Sequence, residues 1–335
     1  MTRLDDAAAD LSGPATCDGP RALLLEAREV PLGGVRAMEV HRSLPQRALP
    51  MVGAWCFLDR FGPQTARMRV EPHPHIGLQT VTWPLVGEVR HRDTLGNDVV
   101  VRRGVLNLMT SGAGIAHSEY SVGDDAVPLD ALQLWVALPE SRRHGRPDFE
   151  RHENLPVVVL DDHRGAGPDD DTVGRATATV VVGSFAGAPS PAATYTPIVG
   201  AELHLPAGAR VRLPLDPSWE YALAGVEGTA AVWTDPDAAT TLPTQGLLYL
   251  GIHRDAIDIT TERDTTLFLI GGEPFEADIV MWWNFVGRSH EEILAAREAW
   301  EADSARFGRV VDHGDERVPA PPLPAVRLTP RRRSA

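Results

Sequence analysis

The sequence predicts an all-β protein of two similarly built domains carrying a single C-terminal α-helix. Three observations predict it. Short β-branched runs such as VTWPLV, DVVVRR and ATATVVVGSF recur between Gly, Pro and Asn turn signals. The second half repeats the arrangement of the first, because sliding the chain by 141 residues lays Gly87 of LVGEV on Gly228 of VEGTA. A helical period takes over only near the end. There Ser289-His-Glu-Glu292 reads as a capping box, and Ile293, Ala296, Trp300 and Phe307 follow at helical spacing. With 335 residues the chain is long enough for two cores, and no apolar run approaches the length of a membrane span.

Taken in order, residues 1–20 are acidic, small and polar, and disorder is expected there. Residues 21–140 form the first domain. Within it, short apolar runs from Ala22 to Val52 alternate with Pro, Gly and Arg, and GAWCFLDRFGP reads as a strand ending in a Gly-Pro turn. The stretch LDALQLWVALP is a core-crossing strand with Leu132, Leu134 and Val136 on one face and Gln133 and Trp135 on the other. Gln133 either points into a pocket or is a buried amide satisfied by backbone. Residues 141–194 are expected to be linker and bridging strands, with DDHRGAGPDDD as an exposed loop. Residues 195–308 form the second domain and the helix, and MWWNFVG is expected to fill the interface between the domains. The remainder, 309–335, contains PAPPLPAV and PRRRSA and is expected to be a disordered tail.

The chemistry concentrates between Glu71 and Glu119. His73-Pro-His75 and His117-Ser-Glu119 each place two metal-binding side chains at i and i+2, on one face of an extended strand. Between them the Leu95-Gly96-Asn97 turn folds the chain back, so two strands offering two ligands each can close on one ion. Three imidazoles and a carboxylate suit a divalent transition metal better than calcium or magnesium. Pro74 cannot donate to a sheet ladder, which puts the first pair at a strand start or an edge. The small-residue run TSGAG lets the backbone approach the site before His117. His91 is read as a strand-face histidine bonded to a neighbour. In the second half the same slide carries His73 to Pro214, His75 to Asp216 and Gln79 to Glu220. A slide of 142 carries His117 to Ile259 and Glu119 to Thr261, so the architecture recurs without the ligands.

Charge and cysteine content narrow the function classes. A net charge of -14, from 46 acidic against 32 basic residues, disfavours direct binding to nucleic acid. Cys17 and Cys56 are too few for a disulfide framework, and Cys56 reads as a small buried hydrophobe. The opening MTRLDDAAADLSGP lacks a signal-peptide pattern, and a cytoplasmic location without membrane attachment is expected.

With HPHIGLQTVTW, GEVRHRDTLGN, SGAGIAHSE and LQLWVALP in order, and LDRFGP upstream, the sequence resembles the pirin family of bicupins over roughly residues 20–308. The resemblance implies two facing cupin barrels of jelly-roll type, of which only the N-terminal one binds metal. It implies His73, His75, His117 and Glu119 as ligands, with Fe(II) the first choice of metal and Ni, Cu, Mn or Zn as other occupants. It also implies a monomer. Two departures stand out: Gln79 where the family pattern has a glutamate, and Pro84 in PLVG where it has LLEG. Gln79 and Gln133 are expected near the pocket. The implied activity is that of a quercetin 2,3-dioxygenase acting on a flavonol-like aromatic substrate, with Glu119 both ligand and proton acceptor. The alternative implication is a metal- and redox-dependent regulator that binds a metabolic enzyme or transcription factor.

Overall fold

The protein's structure is a computed structural model, which describes residues 19–32, 38–162, 174–235 and 237–330. Strand-forming sequence dominates, giving twenty-five strands and one helix among the described residues. The strands build two cupin barrels, each a large sheet facing a four-stranded one, and every ladder between these strands is antiparallel. In the first barrel the large sheet runs Asp148–His152, Leu106–Thr110, Leu78–Val86, Val127–Ala137, Trp55–Ala66, Met38–Leu44 and Arg28–Leu32. Its small sheet runs Arg69–His75, Ile115–Ser121, Glu88–Asp93 and Asp98–Arg102. The bicupin expectation is therefore met.

Strand alternation divides the large sheets between two jobs. Trp55, Val81, Trp83 and Leu134 point out of the first barrel and pack with Val182, Ile198, Phe268 and Ile270 of the second, forming one apolar core between the halves. Trp55 is fully buried and its Nε1 donates to the carbonyls of Val199 and Gly271, both at 3.1 Å. The second barrel has its own interior, where Val211, Leu213, Ile257 and Ile259 of its small sheet are apolar and buried. These strands, Arg210–Pro214 and Ala256–Thr261, pair as Arg69–His75 and Ile115–Ser121 do in the first barrel. Apolar residues thus stand where the first barrel has histidines.

The chain crosses between the halves at both ends of the first barrel. Pro20–Glu26 hydrogen-bonds to Gly246–Gly251 in the second barrel's large sheet. Asp148–His152, from the stretch read as a bridge, hydrogen-bonds to Leu106–Thr110 in the first. Long-range register decides both memberships, and local pattern does not encode it.

The helix spans His290–Glu301 with Ser289 as its N-cap. The Glu292 amide donates to Ser289 Oγ at 3.2 Å, while Glu292 Oε2 accepts from the Arg288 amide at 2.8 Å. Half of the expected capping box forms, and its return bond reaches one residue further back. Ile293, Ala296 and Trp300 bury their side chains against Val280, Trp282, Phe285, Phe307 and Ile76. The MWWNFVG hairpin therefore differs from expectation. Its Trp282 and Phe285 pack under the helix, and only the Val286 and Met281 face reaches the core between the halves.

A larger correction concerns the tail. Residues 309–330, expected to be disordered, dock along the helix and the first barrel. The Val318 amide donates to the Pro72 carbonyl at 2.8 Å, and Trp300 Nε1 donates to the Val318 carbonyl at 2.9 Å. Val310, His313 and Ala320 are buried. Composition hid this because a Pro-rich segment needs no ladder of its own when another element supplies the partners. Residues 1–18 with Cys17, most of the DDHRGAGPDDD loop, and residues 331–335 lie outside the described residues.

Candidate metal centre

Arg69–His75 is the edge strand of the small sheet, as Pro74 requires, and it pairs with Ile115–Ser121 so that His73 stands opposite His117 and His75 opposite Ile115. After Ile76 the chain turns sharply at Gly77 (φ +70°), where a Cβ would lie 2.0 Å from the Val286 carbonyl oxygen. Only glycine fits so tight a turn. The Gly77 amide donates to the Gly112 carbonyl at 3.0 Å, so the TSGAG bend packs against this turn as expected. The register slips between His117 and Glu119, leaving Glu119 opposite Val70 on one side and His91 on the other.

His73, His75 and His117 converge, each buried, with candidate ligand atoms all within 4.8 Å of one another. Nε2 of His75 and Nε2 of His117 are 3.0 Å apart. Glu119 falls in a second, overlapping group with His117 and His91. His91 is the residue that sequence reasoning left on a strand face with an unnamed partner. Its ring stacks on Phe149 with centroids 4.7 Å apart, its Nδ1 is 3.2 Å from His117 Nδ1, and its Nε2 is 3.1 Å from Asp93 Oδ2. The signal was in VRHRD, where His91 and Asp93 repeat the i, i+2 spacing of the ligand pairs.

Burial governs the electrostatics. Desolvation pushes His73 down to about 4, against the support of the Glu71 carbonyl, to which Nδ1 donates at 2.9 Å. It holds His75 and His117 well below the usual histidine range, and the neighbouring imidazoles lower both further. Burial raises Glu119, opposed by His91 and by a hydrogen bond from Thr82. For Asp93 burial acts upward too, but the bonds from His91 and Asn97 outweigh it and the carboxyl lies below its ordinary value. The centre thus offers neutral imidazole lone pairs, the form in which histidine ligates a metal.

The facing large sheet supplies the other wall. Register pairs align Arg42, Asp59, Gln133, Thr82 and Asn107 in one polar row across its inner face. The next rung carries Phe57, Trp135 and Thr80. Arg42 grips Asp59 through two bonds of 2.8 and 2.7 Å, yet burial leaves the Asp59 pKa raised. Phe57 and Trp135 stack at 3.9 Å, and Trp135 meets the His75 ring edge-on at 5.2 Å.

Gln133 faces the site, with Oε1 3.1 Å from Thr82 Oγ, which is also 3.1 Å from Glu119 Oε1. Both oxygens are acceptors and one hydroxyl has one proton, so Thr82 donates to one of them at a time. Gln79 does not join them. It alternates with Thr80 and Thr82, and its Nε2 donates to Thr110 Oγ1 at 2.9 Å and to the Ala193 carbonyl at 3.1 Å on the side facing the second barrel. Opposite Pro84 the register shifts between Asp130 and Ala131, the irregularity that a strand proline predicts.

Residues 36–136 match the family profile described as Pirin, and residues 200–308 match that of the pirin C-terminal cupin domain. The chain belongs to the pirin family. It is 41% identical over 322 residues to a Pseudomonas aeruginosa protein named provisionally as a quercetin 2,3-dioxygenase, covering 94% of this chain and 96% of the relative. A pirin-like protein of Caulobacter vibrioides is 32% identical over 310 residues, covering 89% and 99%. Among solved structures, a quercetin 2,3-dioxygenase from Acinetobacter baumannii superposes with a TM-score of 0.82 at 36% identity, covering 92% of this chain and 98% of that one.

For a pirin-family metal the donor set fits. His73 donates through Nδ1 to a carbonyl, so its lone pair is on Nε2, and buried imidazoles crowded to 3.0 Å resist protonation. Such a cluster is a candidate transition-metal site. No helix among the described residues is long and apolar enough to cross a membrane.

Proposed function

We propose that the protein is a metal-dependent oxygenase of the quercetin 2,3-dioxygenase type, acting on flavonol-like enolic aromatic substrates. The observation that carries this reading is the convergence of three buried imidazoles, His73, His75 and His117, with Glu119 joined to them through the overlapping group at His117 and Trp135 edge-on to His75, in a chain whose relatives bear that name. His73, His75, His117 and Glu119 would hold the ion, with Fe(II) the first candidate. When bound, a metal of this class supplies a Lewis-acidic, redox-capable centre for an enolate oxygen and dioxygen.

The chain's own groups supply the rest. Glu119, its pKa raised by burial, is matched to accept the hydroxyl proton of the substrate, and Thr82 anchors its Oε1. Phe57 and Trp135 offer a flat apolar surface beside His75. Asn107 and Trp135 Nε1 are buried polar groups without protein partners, the side-chain amide of Asn107 through both its nitrogen and its oxygen. Groups of this kind suit a polyhydroxylated ligand, whose hydroxyls would satisfy them. The test is oxygen uptake with quercetin by metal-loaded protein. Uptake that His117→Ala abolishes supports the reading, and no uptake above that variant overturns it.

A further inference from the structure

We propose that Asp93 and His91 form a positioning relay that fixes the tautomer of His117 and so turns its Nε2 lone pair toward the metal. The proposal rests on the metal-centre reading above but concerns residues outside the ligand set.

The argument follows the protons. Asp93 is fully buried, and its Oδ1 accepts from the amides of Leu95 (2.9 Å) and Asn97 (3.1 Å), while Asn97 Nδ2 donates to both carboxylate oxygens. A carboxylate surrounded by donors only accepts, so His91 Nε2, 3.1 Å from Oδ2, carries its proton. Neutral imidazole has one N–H, which leaves His91 Nδ1 as an acceptor. The atom facing it at 3.2 Å is His117 Nδ1, which therefore donates. His117 Nε2 is then an unprotonated donor atom on the side of His75 and His73.

Register and packing hold the relay in place. His117 pairs with Asp93 and Glu119 with His91 across adjacent strands, and Phe149 stacks on the His91 ring at an interplanar angle of 22°. His73 reaches the same tautomer by a shorter route, through the Glu71 carbonyl. Partners of this kind typically contribute about 10–100-fold to metal affinity.

Reversing one end should reverse the whole chain. In Asp93→Asn the two backbone amides keep the carbonyl at the Oδ1 position, which turns the NH₂ toward His91 Nε2. His91 then protonates on Nδ1, His117 accepts there, and the proton moves to the metal-facing nitrogen.

The experiment measures nickel(II) affinity by chelator competition for wild type, Asp93→Asn, His91→Phe and the double variant. Unfolding of the metal-free proteins is followed in parallel. Expected are about 10–100-fold losses in each single variant, and no further loss when Asp93→Asn is added to His91→Phe. An unchanged affinity in the single variants overturns the relay. Equal losses from Asp93→Asn in both backgrounds also overturn it, because Asp93 would then act only through its turn. If Asp93→Asn does not fold, His91→Phe, which keeps a ring on Phe149, decides alone. A second nickel equivalent that disappears with His91→Phe overturns it too, making His91 a ligand. Wild-type protein that binds no nickel removes the metal-centre reading itself, which sets that failure apart from the relay's.

Discussion

Ser118 Oγ lies 2.7 Å from His313 Nε2, joining the C-terminal segment to the strand that carries the candidate ligands His117 and Glu119. Alternation along Ile115–Ser121 turns His117 and Glu119 into the barrel and Ser118 and Tyr120 outward. The outer face of the site is thus covered by chain that begins after the second barrel is complete.

Removal of residues 309–335 is therefore expected to destabilise the first barrel. It takes away the buried side chains of Val310 and Ala320, uncovers part of Trp300, and breaks the bonds of Ser118 to His313 and of Pro72 to Val318. Two apolar side chains and two or three hydrogen bonds amount to about 3 kcal/mol. Denaturant unfolding of the truncated chain checks this, and an unchanged midpoint would mean that the strap is not held in solution.

The metal-free protein should lose stability on mild acidification. His73 has a folded pKa of about 4 against an ordinary 6.5, so the unfolded chain takes up a proton that the native one refuses. The native advantage is complete above pH 6.5, declines as pH falls through that window, and levels off below about 4. His73 alone accounts for roughly 3 kcal/mol. His75 and His117 act in the same direction, whereas Glu119, raised by burial, gains stability as it protonates. Melting temperatures from pH 7 to pH 5 should fall more steeply in wild type than in His73→Ala.

The i, i+2 spacings of His73, His75, His117 and Glu119 made the strand faces readable, because a strand has only two. The same rule put Gln133 on the face of Trp135 and left its partner open, which the structure gives as Thr82. Gln79 was misplaced because it came from family pattern, while alternation with Thr82 sends it to the other face. His91 and Asp93 obey the spacing as well, but their role depends on ring nitrogens meeting across strands, a register that no single strand records. The tail and the crossover of Pro20–Glu26 were hidden for a similar reason, since their partners lie far away in sequence.

Packing between the halves should be intolerant of one methyl group at Gly200. A Cβ there would lie 2.9 Å from both Trp55 Cζ2 and Val182 Cγ2, within the core that joins the barrels. Trp55 cannot retreat without losing its bonds to Val199 and Gly271. Overpacking of this kind costs about 1–3 kcal/mol. Gly200→Ala should lower the unfolding midpoint accordingly, and a midpoint equal to wild type would show that the indole has room to move.

Glu119→Gln separates proton transfer from metal binding. The substitution preserves the shape of a side chain whose Oε1 meets Thr82, and leaves His73, His75 and His117 in place. An amide is a weaker ligand than a carboxylate and a far weaker base. Three imidazoles should still retain the ion at saturating metal, whereas oxygen uptake with quercetin should fall about 10²–10⁴-fold, the usual contribution of a positioned base. Measured at full metal occupancy, that split assigns Glu119 to the proton. Equal loss of occupancy and uptake would reduce it to a ligand, and uptake retained at full occupancy would move the base elsewhere.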